Sequence, residues 1–150
     1  MKARDIMTTE LVTLSPACTI GQAVRKFAET KLQAFPVVDE KGILEGTVNV
    51  WRLLRHVMPP YIVSGDLPDV RFAPDLSQLH ERLAGMRDQT VTLIMNRTPP
   101  TVKPEHSVLE CAALMLNTPK TVHVLPVVDD RGRLLGVIAP FDLIKEAGGP

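Results

Sequence analysis

A stretch of fourteen residues occurs twice in this chain, ninety positions apart, and this duplication constrains the fold more than any other feature. The first copy begins at Phe35 and reads FPVVDEKGILEGTV, and the second begins at Leu125 and reads LPVVDDRGRLLGVI. Each copy predicts two strands joined by a turn, because Val and Ile favour sheets whereas Asp and Gly favour turns. We therefore expect two copies of one structural unit.

Helices are predicted on both sides of each hairpin. Before the hairpins, Thr19 with Gln22 and Ser107 with Glu110 have the spacing of a capping box, in which both side chains bond backbone amides at the helix start. After the first hairpin, Asn49 is a good N-cap for a helix over residues 50–57. The last helix begins at Pro140 and is expected to stop at Gly148 and Gly149. A short strand over residues 11–14 is expected ahead of the first capped helix.

The duplication divides the chain into two repeats, residues 1–58 and 91–147, and a connection over residues 59–90. Prolines and Gly65 predict an irregular first half of the connection. Asp75 and Gln78 have capping-box spacing, which predicts an extra helix with one apolar face formed by Leu76, Leu79, Leu83 and Met86. The expected fold class is α+β, with two β-α-β-β-α repeats and this additional helix.

The composition excludes several classes of protein. The 17 basic residues balance 17 acidic ones, which argues against a nucleic-acid or membrane surface selected by charge. No signal-peptide core or membrane-spanning run is visible, so a cytoplasmic location is expected. Cys18, Cys111 and the four histidines lack metal-ligand spacing, and no nucleophile motif is present. We expect neither a metal site nor an enzyme.

The order of these elements, with Pro-Val-Val-Asp in each hairpin, resembles the CBS domain, and two in tandem resemble a Bateman module. The resemblance covers nearly the whole chain outside the connection. It implies that the repeats pack through their sheets about a pseudo-twofold axis, leave two related clefts, and pair again as a homodimer. It also implies no required cofactor and a regulatory ligand that contains adenosine: AMP, ADP, ATP or S-adenosylmethionine.

Family members that bind such ligands often carry Thr or Ser at the helix start for phosphate, and Asp three residues later for ribose. The second repeat reads Gly136-Val-Ile-Ala-Pro-Phe-Asp142, which keeps the Asp and lacks the hydroxyl. Val124 stands where tight phosphate binders often have Arg, which lowers the expected affinity for polyphosphates. By resemblance, and including the opening segment of the chain, this cleft is formed by Asp142, Ala139, Pro140, His123, Val124, Leu32, Gln33, Arg4 and Ile6.

The second, weaker cleft is expected around the end of the first hairpin. There the chain reads Gly46-Thr-Val-Asn49-Val-Trp-Arg52, which places a cation where the ribose acid would be. By resemblance this cleft takes Asn49, Arg52, Ala34 and Val122.

Each of these residues also has a purely structural interpretation. Asp142 is the kind of first-turn acid that the helix dipole favours. His123 fits an edge or core histidine, and Arg52 fits a solvated or salt-bridged side chain. Two further functions therefore stay open beside a ligand sensor: a ligand-free dimerisation scaffold, and nucleic-acid binding, against which the neutral charge argues.

Overall fold

The computed structural model describes residues 1–65, 76–118 and 122–148, and within these it leaves the side chains of Tyr61 and Leu76 undescribed. The elements are, in chain order, helix α1 (Ala3–Ile6), α2 (Ile20–Thr30), strands β1 (Ala34–Val38) and β2 (Leu44–Asn49), α3 (Val50–Val57), α4 (Pro60–Val63), α5 (Leu76–Met86), a 3₁₀ turn (Val91–Leu93), α6 (Val108–Asn117), β3 (Leu125–Val128), β4 (Leu134–Ile138) and α7 (Pro140–Ala147).

The two predicted hairpins are confirmed, and β1–β2 and β3–β4 pair antiparallel. Their turns are built alike, since Asp39 Oδ1 accepts hydrogen bonds from two backbone amides, at 2.8 and 2.9 Å, and Asp129 Oδ1 does the same at 2.9 Å in both cases. Gly42 and Gly132 lie in these turns with φ of 82° and 81°, a left-handed conformation that glycine adopts without strain.

The predicted helix caps are also present. Thr19 Oγ1 accepts from the Gln22 amide at 3.2 Å, and Gln22 Oε1 accepts from the Thr19 amide at 2.9 Å. Ser107 forms the same reciprocal pair at the start of α6, and the Asn49 side chain accepts from the backbone amide three residues on at 2.8 Å. These caps set where each helix begins relative to its hairpin.

The segments before α2 and α6 exchange between the repeats; we call residues 1–12 the first arm and residues 89–100 the second arm. The first arm adds to the second hairpin, where the Thr8 and Val137 backbones bond at 2.8 and 3.0 Å. The second arm adds to the first hairpin through Asn96 and Thr47, at 2.8 and 3.0 Å. Each sheet is therefore completed by the other repeat.

The hydrophobic cores follow the same exchange. The core of the first hairpin and α2 includes Val91, Ile94 and Met95 of the second arm. The core of the second hairpin and α6 includes Ala3 of the first arm, with Ile6 packed against it. Neither repeat buries its apolar face without the other, as expected for a two-stranded hairpin with one helix.

The hairpin turns meet where the repeats face each other. Leu44 N donates to Gly132 O at 2.9 Å, and Leu134 N donates to Gly42 O at 3.0 Å. These reciprocal bonds complete the predicted arrangement about a pseudo-twofold axis.

Two local predictions differ from the structure. The strand expected over residues 11–14 is reduced to one parallel bridge between Leu14 and Val37, because the preceding residues line a gap between the hairpins. The first half of the connection, expected to be irregular, forms one helical turn over Pro60–Val63. The predicted Asp75 cap falls outside the described residues. The extra helix is present as α5, and its Leu83 and Met86 pack against the first core.

Candidate ligand-binding clefts

Two clefts lie between the repeats and are related by the pseudo-twofold axis. The larger has a volume of about 620 Å³ and the smaller about 270 Å³. Residues 8, 10, 11 and 12 of the first arm line the larger cleft, and the corresponding residues 96, 98, 99 and 100 of the second arm line the smaller one. The exchanged arms therefore form one wall of each cleft.

The larger cleft, which we call the Asp142 cleft, combines the first arm, the start of β1, and the segments before β3 and at the start of α7. Its lining residues are Thr8, Glu10, Leu11, Val12, Lys31, Leu32, Gln33, Ala34, Pro36, Val122, His123, Val124, Val137, Ala139, Pro140, Phe141 and Asp142. Of the nine residues expected here, seven lie on the lining: Asp142, Ala139, Pro140, His123, Val124, Leu32 and Gln33.

Arg4 and Ile6 do not line this cleft. Helix α1 docks against the loop that leads into α6, where Ala3 N donates to His106 O at 2.8 Å and Arg4 N to Pro104 O at 3.1 Å. That docking directs Ile6 into the second core and leaves Arg4 exposed. The first arm reaches the cleft only from Thr8 onwards.

The Asp142 carboxylate lies at the start of α7 on the wall of the cleft. One of its oxygens, Oδ2, accepts a hydrogen bond from the Ala139 amide at 2.8 Å, which caps the helix. Among the described residues, no other donor to this carboxylate is found. The side chain is half-buried, so it both caps the helix and presents an acceptor to the cleft.

Two charged residues of this cleft were not expected from the sequence. Glu10 and Lys31 both line it, so the charged groups among its described lining residues are two carboxylates and one ammonium. Lys31 caps α2 with φ of 61°, the left-handed region that disfavours residues with a Cβ. Backbone strain of this kind is often found at functional sites. Nothing in the local sequence distinguishes this lysine from any exposed one.

His123 lines both clefts and is the least satisfied polar side chain of the site. Its Nε2 is buried and has no hydrogen-bond partner among the described residues, although the residue as a whole is half-buried. Burial lowers the pKa of the imidazole below its usual value, because the charged form is poorly solvated. The ring is therefore neutral near pH 7, with one nitrogen able to donate and the other to accept.

The smaller cleft, which we call the Asn49 cleft, has no charged lining residue among those described. Its walls are Ala34, Thr47, Asn49, Asn96, Thr98, Pro99, Pro100, Thr118, Val122, His123 and Val124. The expected Asn49, Ala34 and Val122 are on this lining, but Arg52 is not. The Arg52 guanidinium donates to Ile94 O at 2.7 Å and to Met95 O at 3.2 Å, which holds the second arm in place.

The fold and these clefts define a class: a tandem pair of α+β repeats with exchanged arms and two inter-repeat pockets. The CBS domain family matches this chain at residues 3–59 and again at 90–149. The chain belongs to the CBS domain family and carries two such domains.

Proteins similar to this chain include a CBS domain-containing protein and two CBS pairs of known structure. A CBS domain-containing protein of Dictyostelium discoideum is 31% identical, over 94% of this chain and 87% of its own length. The structure of the CBS-pair protein CBSX2 from Arabidopsis thaliana matches with a TM-score of 0.77 at 23% identity, over 97% of this chain and 93% of that one. The CBS domain pair of protein MJ0100, solved with 5′-methylthioadenosine and S-adenosylmethionine, matches with a TM-score of 0.71 at 21% identity, over 99% and 97%.

CBS pairs also occur within larger proteins. Inosine-5′-monophosphate dehydrogenase of Methanocaldococcus jannaschii is 25% identical over 99% of this chain, which corresponds to 24% of the enzyme. In the part of this chain that the structure describes, no cluster of three or more metal-ligating side chains is found. No helix in the same residues is long and apolar enough to cross a bilayer.

Proposed function

We propose that this chain is a regulatory binding module that senses an adenosine-containing ligand, AMP, ADP, ATP or S-adenosylmethionine, in the Asp142 cleft. The observation that carries the proposal is the Asp142 carboxylate, half-buried on the wall of a cleft of about 620 Å³ with a free oxygen. A carboxylate in that position accepts charge-assisted hydrogen bonds from ribose hydroxyls. The lining residues Leu11, Val12 and Leu32 supply an apolar surface for a base.

Structural relatives support the choice of ligand class. CBSX2 has been solved in complex with AMP, and the MJ0100 domain pair with 5′-methylthioadenosine and S-adenosylmethionine. Within that class, the cleft favours ligands with little negative charge. Among its described lining residues, Glu10 and Asp142 outnumber Lys31, and Ala139 offers no hydroxyl to a phosphate. We expect adenosine, AMP and S-adenosylmethionine to bind more tightly than ATP.

Calorimetric titration with these four ligands and ADP tests the proposal. Asp142→Asn keeps an oxygen for the Ala139 amide but removes the charge, so we expect a loss of about tenfold in affinity with little change in stability. The matched control is Glu110→Gln, which makes the same change at the cap of α6, outside both clefts. Absence of binding by the wild type, or equal affinities for wild type and Asp142→Asn, contradicts the proposal.

The proposed module acts as a homodimer. The two repeats expose apolar side chains at corresponding positions of α3 and α7: Trp51 (54% exposed) and Phe141 (69%), and Leu54 (41%) and Ile144 (63%). Repeated exposure of large apolar groups is typical of an interaction surface. A dimer formed through this surface is also what the second candidate function requires, in which the chain is a dimerisation scaffold that binds no ligand.

Sedimentation velocity over a range of concentrations tests the dimer. Ile144→Asp places a charge on this surface without touching the lining of either cleft, and we expect it to yield monomers. Val63→Asp is the control, since Val63 is 50% exposed on α4. A monomeric wild type contradicts the dimer, and a dimer that none of the five ligands alters favours the scaffold.

A further inference from the structure

We infer that His123 couples the two clefts, so that a ligand bound in one weakens binding in the other. This inference rests on the proposed function, because it concerns how the same module distributes its ligand. The wall between the clefts consists of Ala34, Val122, His123 and Val124, all of which line both. Of these four, only His123 has a side chain that can form hydrogen bonds.

The pseudo-twofold axis shows why this position is unusual. His123 corresponds to Gln33 of the first repeat, with the offset of ninety that relates the hairpins. Gln33 is exposed and lines only the Asp142 cleft, whereas His123 lines both. The backbone differs as well: Val50 N donates to Gln33 O at 3.0 Å, but Pro140 stands at the equivalent position and has no N–H to donate.

The unpartnered nitrogen gives the coupling its physical basis. A buried polar atom without a partner is unfavourable, and as the ring stands Nε2 is closed to both clefts. The first ligand to bond Nε2 must therefore turn the ring toward its own cleft, and it gains from satisfying that atom. A neutral imidazole presents one donor and one acceptor, so that bond also fixes which nitrogen carries the proton. A second ligand then meets a ring whose Nε2 is occupied and whose tautomer is set.

Charge cannot replace this hydrogen bond as the link between the sites. The charged residues on the Asp142 cleft are Glu10, Lys31 and Asp142, and the Asn49 cleft has none among the described residues. Among the residues that the structure describes, the imidazole is the one titratable group common to both linings. The coupling is therefore short-ranged and depends on a single side chain.

A thermodynamic cycle with adenosine as the probe measures the coupling. Ala139→Phe fills the Asp142 cleft and Thr98→Phe fills the Asn49 cleft, each without adding a polar atom, so each variant reports the affinity of the other cleft alone. The wild type reports the affinity for both sites together. If the clefts were independent, the two stepwise association constants of the wild type would multiply to the product of the two single-cleft constants. We expect the measured product to be about fivefold smaller, because the second adenosine binds more weakly.

His123→Phe removes the hydrogen-bonding atoms and is expected to make the two sites independent. His80→Phe is the control, because it changes an exposed histidine of α5 outside both clefts. Nitrogen NMR of the His123 ring gives a second measurement on folded protein: adenosine is expected to shift the Nε2 resonance in each single-cleft variant.

The outcomes separate this inference from the proposed function. Failure of all five ligands, adenosine among them, to bind overturns both. One adenosine per chain, two independent sites in the wild type, or an Nε2 resonance that responds in only one single-cleft variant overturns the coupling and leaves the Asp142 site intact. Coupling that persists in His123→Phe also overturns it, since the link then lies elsewhere in the wall.

Discussion

Single glycines determine how closely the exchanged arms approach the sheets. A Cβ built on Gly46 lies 2.4 Å from Asn96 O and 2.5 Å from Met95 Cγ, and one on Gly136 lies 2.7 Å from Met7 Sδ. The hairpin that contains each of these glycines is therefore not what excludes a side chain there. Each glycine makes room for the methionine and backbone of the other repeat's arm.

Gly46→Ala is expected to lower the free energy of unfolding by about 1–3 kcal/mol, because the backbone carbonyl of Asn96 must move away. Gly136→Ala is expected to cost less, since the backbone carbonyl it meets, Thr8 O, lies at 2.9 Å rather than 2.4 Å and its nearest neighbour is the side chain of Met7. Gly85→Ala is the control: nothing lies within 4 Å, and Ala favours a helix by about 0.5–1 kcal/mol. Urea denaturation measures all three. A Gly46→Ala variant as stable as wild type contradicts the close approach of the second arm.

Lys31 has a left-handed backbone conformation and also lines the Asp142 cleft, where its ammonium could contact a ligand. Lys31→Gly is expected to stabilise the fold by about 1 kcal/mol, because glycine adopts the left-handed conformation without a Cβ clash. It is also expected to weaken AMP binding severalfold while leaving adenosine unchanged, since only AMP offers a phosphate to the ammonium. Lys31→Ala separates the effects by losing the charge without relieving the strain. Equal losses for AMP and adenosine contradict a phosphate contact.

At the scale of the helices, the two N-termini that border the clefts are capped differently. Asn49 caps α3 through its side chain, whereas Ala139 has none to offer and α7 relies on Asp142. Ala139→Ser is therefore expected to stabilise the protein by about 0.5–1 kcal/mol. The new hydroxyl also faces the cleft, where we expect it to raise AMP affinity severalfold. Thermal unfolding with and without AMP measures both effects. An unchanged affinity for AMP contradicts a contact between its phosphate and the side chain at position 139.

The caps of α2 and α6 predict a difference in acid stability. Hydrogen bonds from the Ser107 backbone and hydroxyl hold the pKa of Glu110 below its usual value of 4.5. A carboxyl with a lowered pKa in the folded state contributes stability above its unfolded pKa and loses it as the pH falls through the folded value. Stability is therefore expected to fall below about pH 4.5, and less steeply in Glu110→Gln. The reciprocal Gln22→Glu at the cap of α2 is expected to make the loss of stability at low pH steeper. Equal dependence of the unfolding free energy on pH in the two variants contradicts this account.

Helices and hairpins could be predicted from the sequence because their signals are local. Capping boxes, the Asp-Gly turns and the repeated Pro-Val-Val lie within a few residues of one another. The prediction of a strand over residues 11–14 was wrong because the role of these residues is not local. Leu11 and Val12 line a cleft between the repeats instead of pairing in a sheet. Their pattern alone does not distinguish a cleft wall from a strand.

On the scale of the whole molecule, the exchange of arms was the feature that sequence reasoning missed. Thr8 pairs with Val137 and Asn96 with Thr47, and no periodicity within one repeat encodes a partner in the other. Arg4 and Ile6 lie outside the cleft lining because α1 docks against the loop before α6, and Arg52 lies outside it because its guanidinium bonds the second arm. Seven residues of the Asp142 cleft could be named from the resemblance to the CBS domain, because they directly precede β1 and β3 or begin α7.

The exchange also predicts that the protein unfolds as one unit. Each core contains residues of both repeats, so damage to the second core is expected to destabilise the first equally. Trp51 is the chain's single tryptophan and reports on the first repeat. Leu125→Ala, at a fully buried site of the second core, is expected to lower the unfolding free energy by about 2–5 kcal/mol.

In that variant, Trp51 fluorescence and far-ultraviolet circular dichroism are expected to shift together and to overlay in one transition, as two-state unfolding requires. Leu116→Ala, at a position 83% exposed, is the control and is expected to change the midpoint little. A Trp51 transition that stays in place while the dichroism splits into two steps means that the first repeat folds alone. The exchanged arms would then join two independent domains, and ligand binding between them would act on their docking rather than on one shared fold.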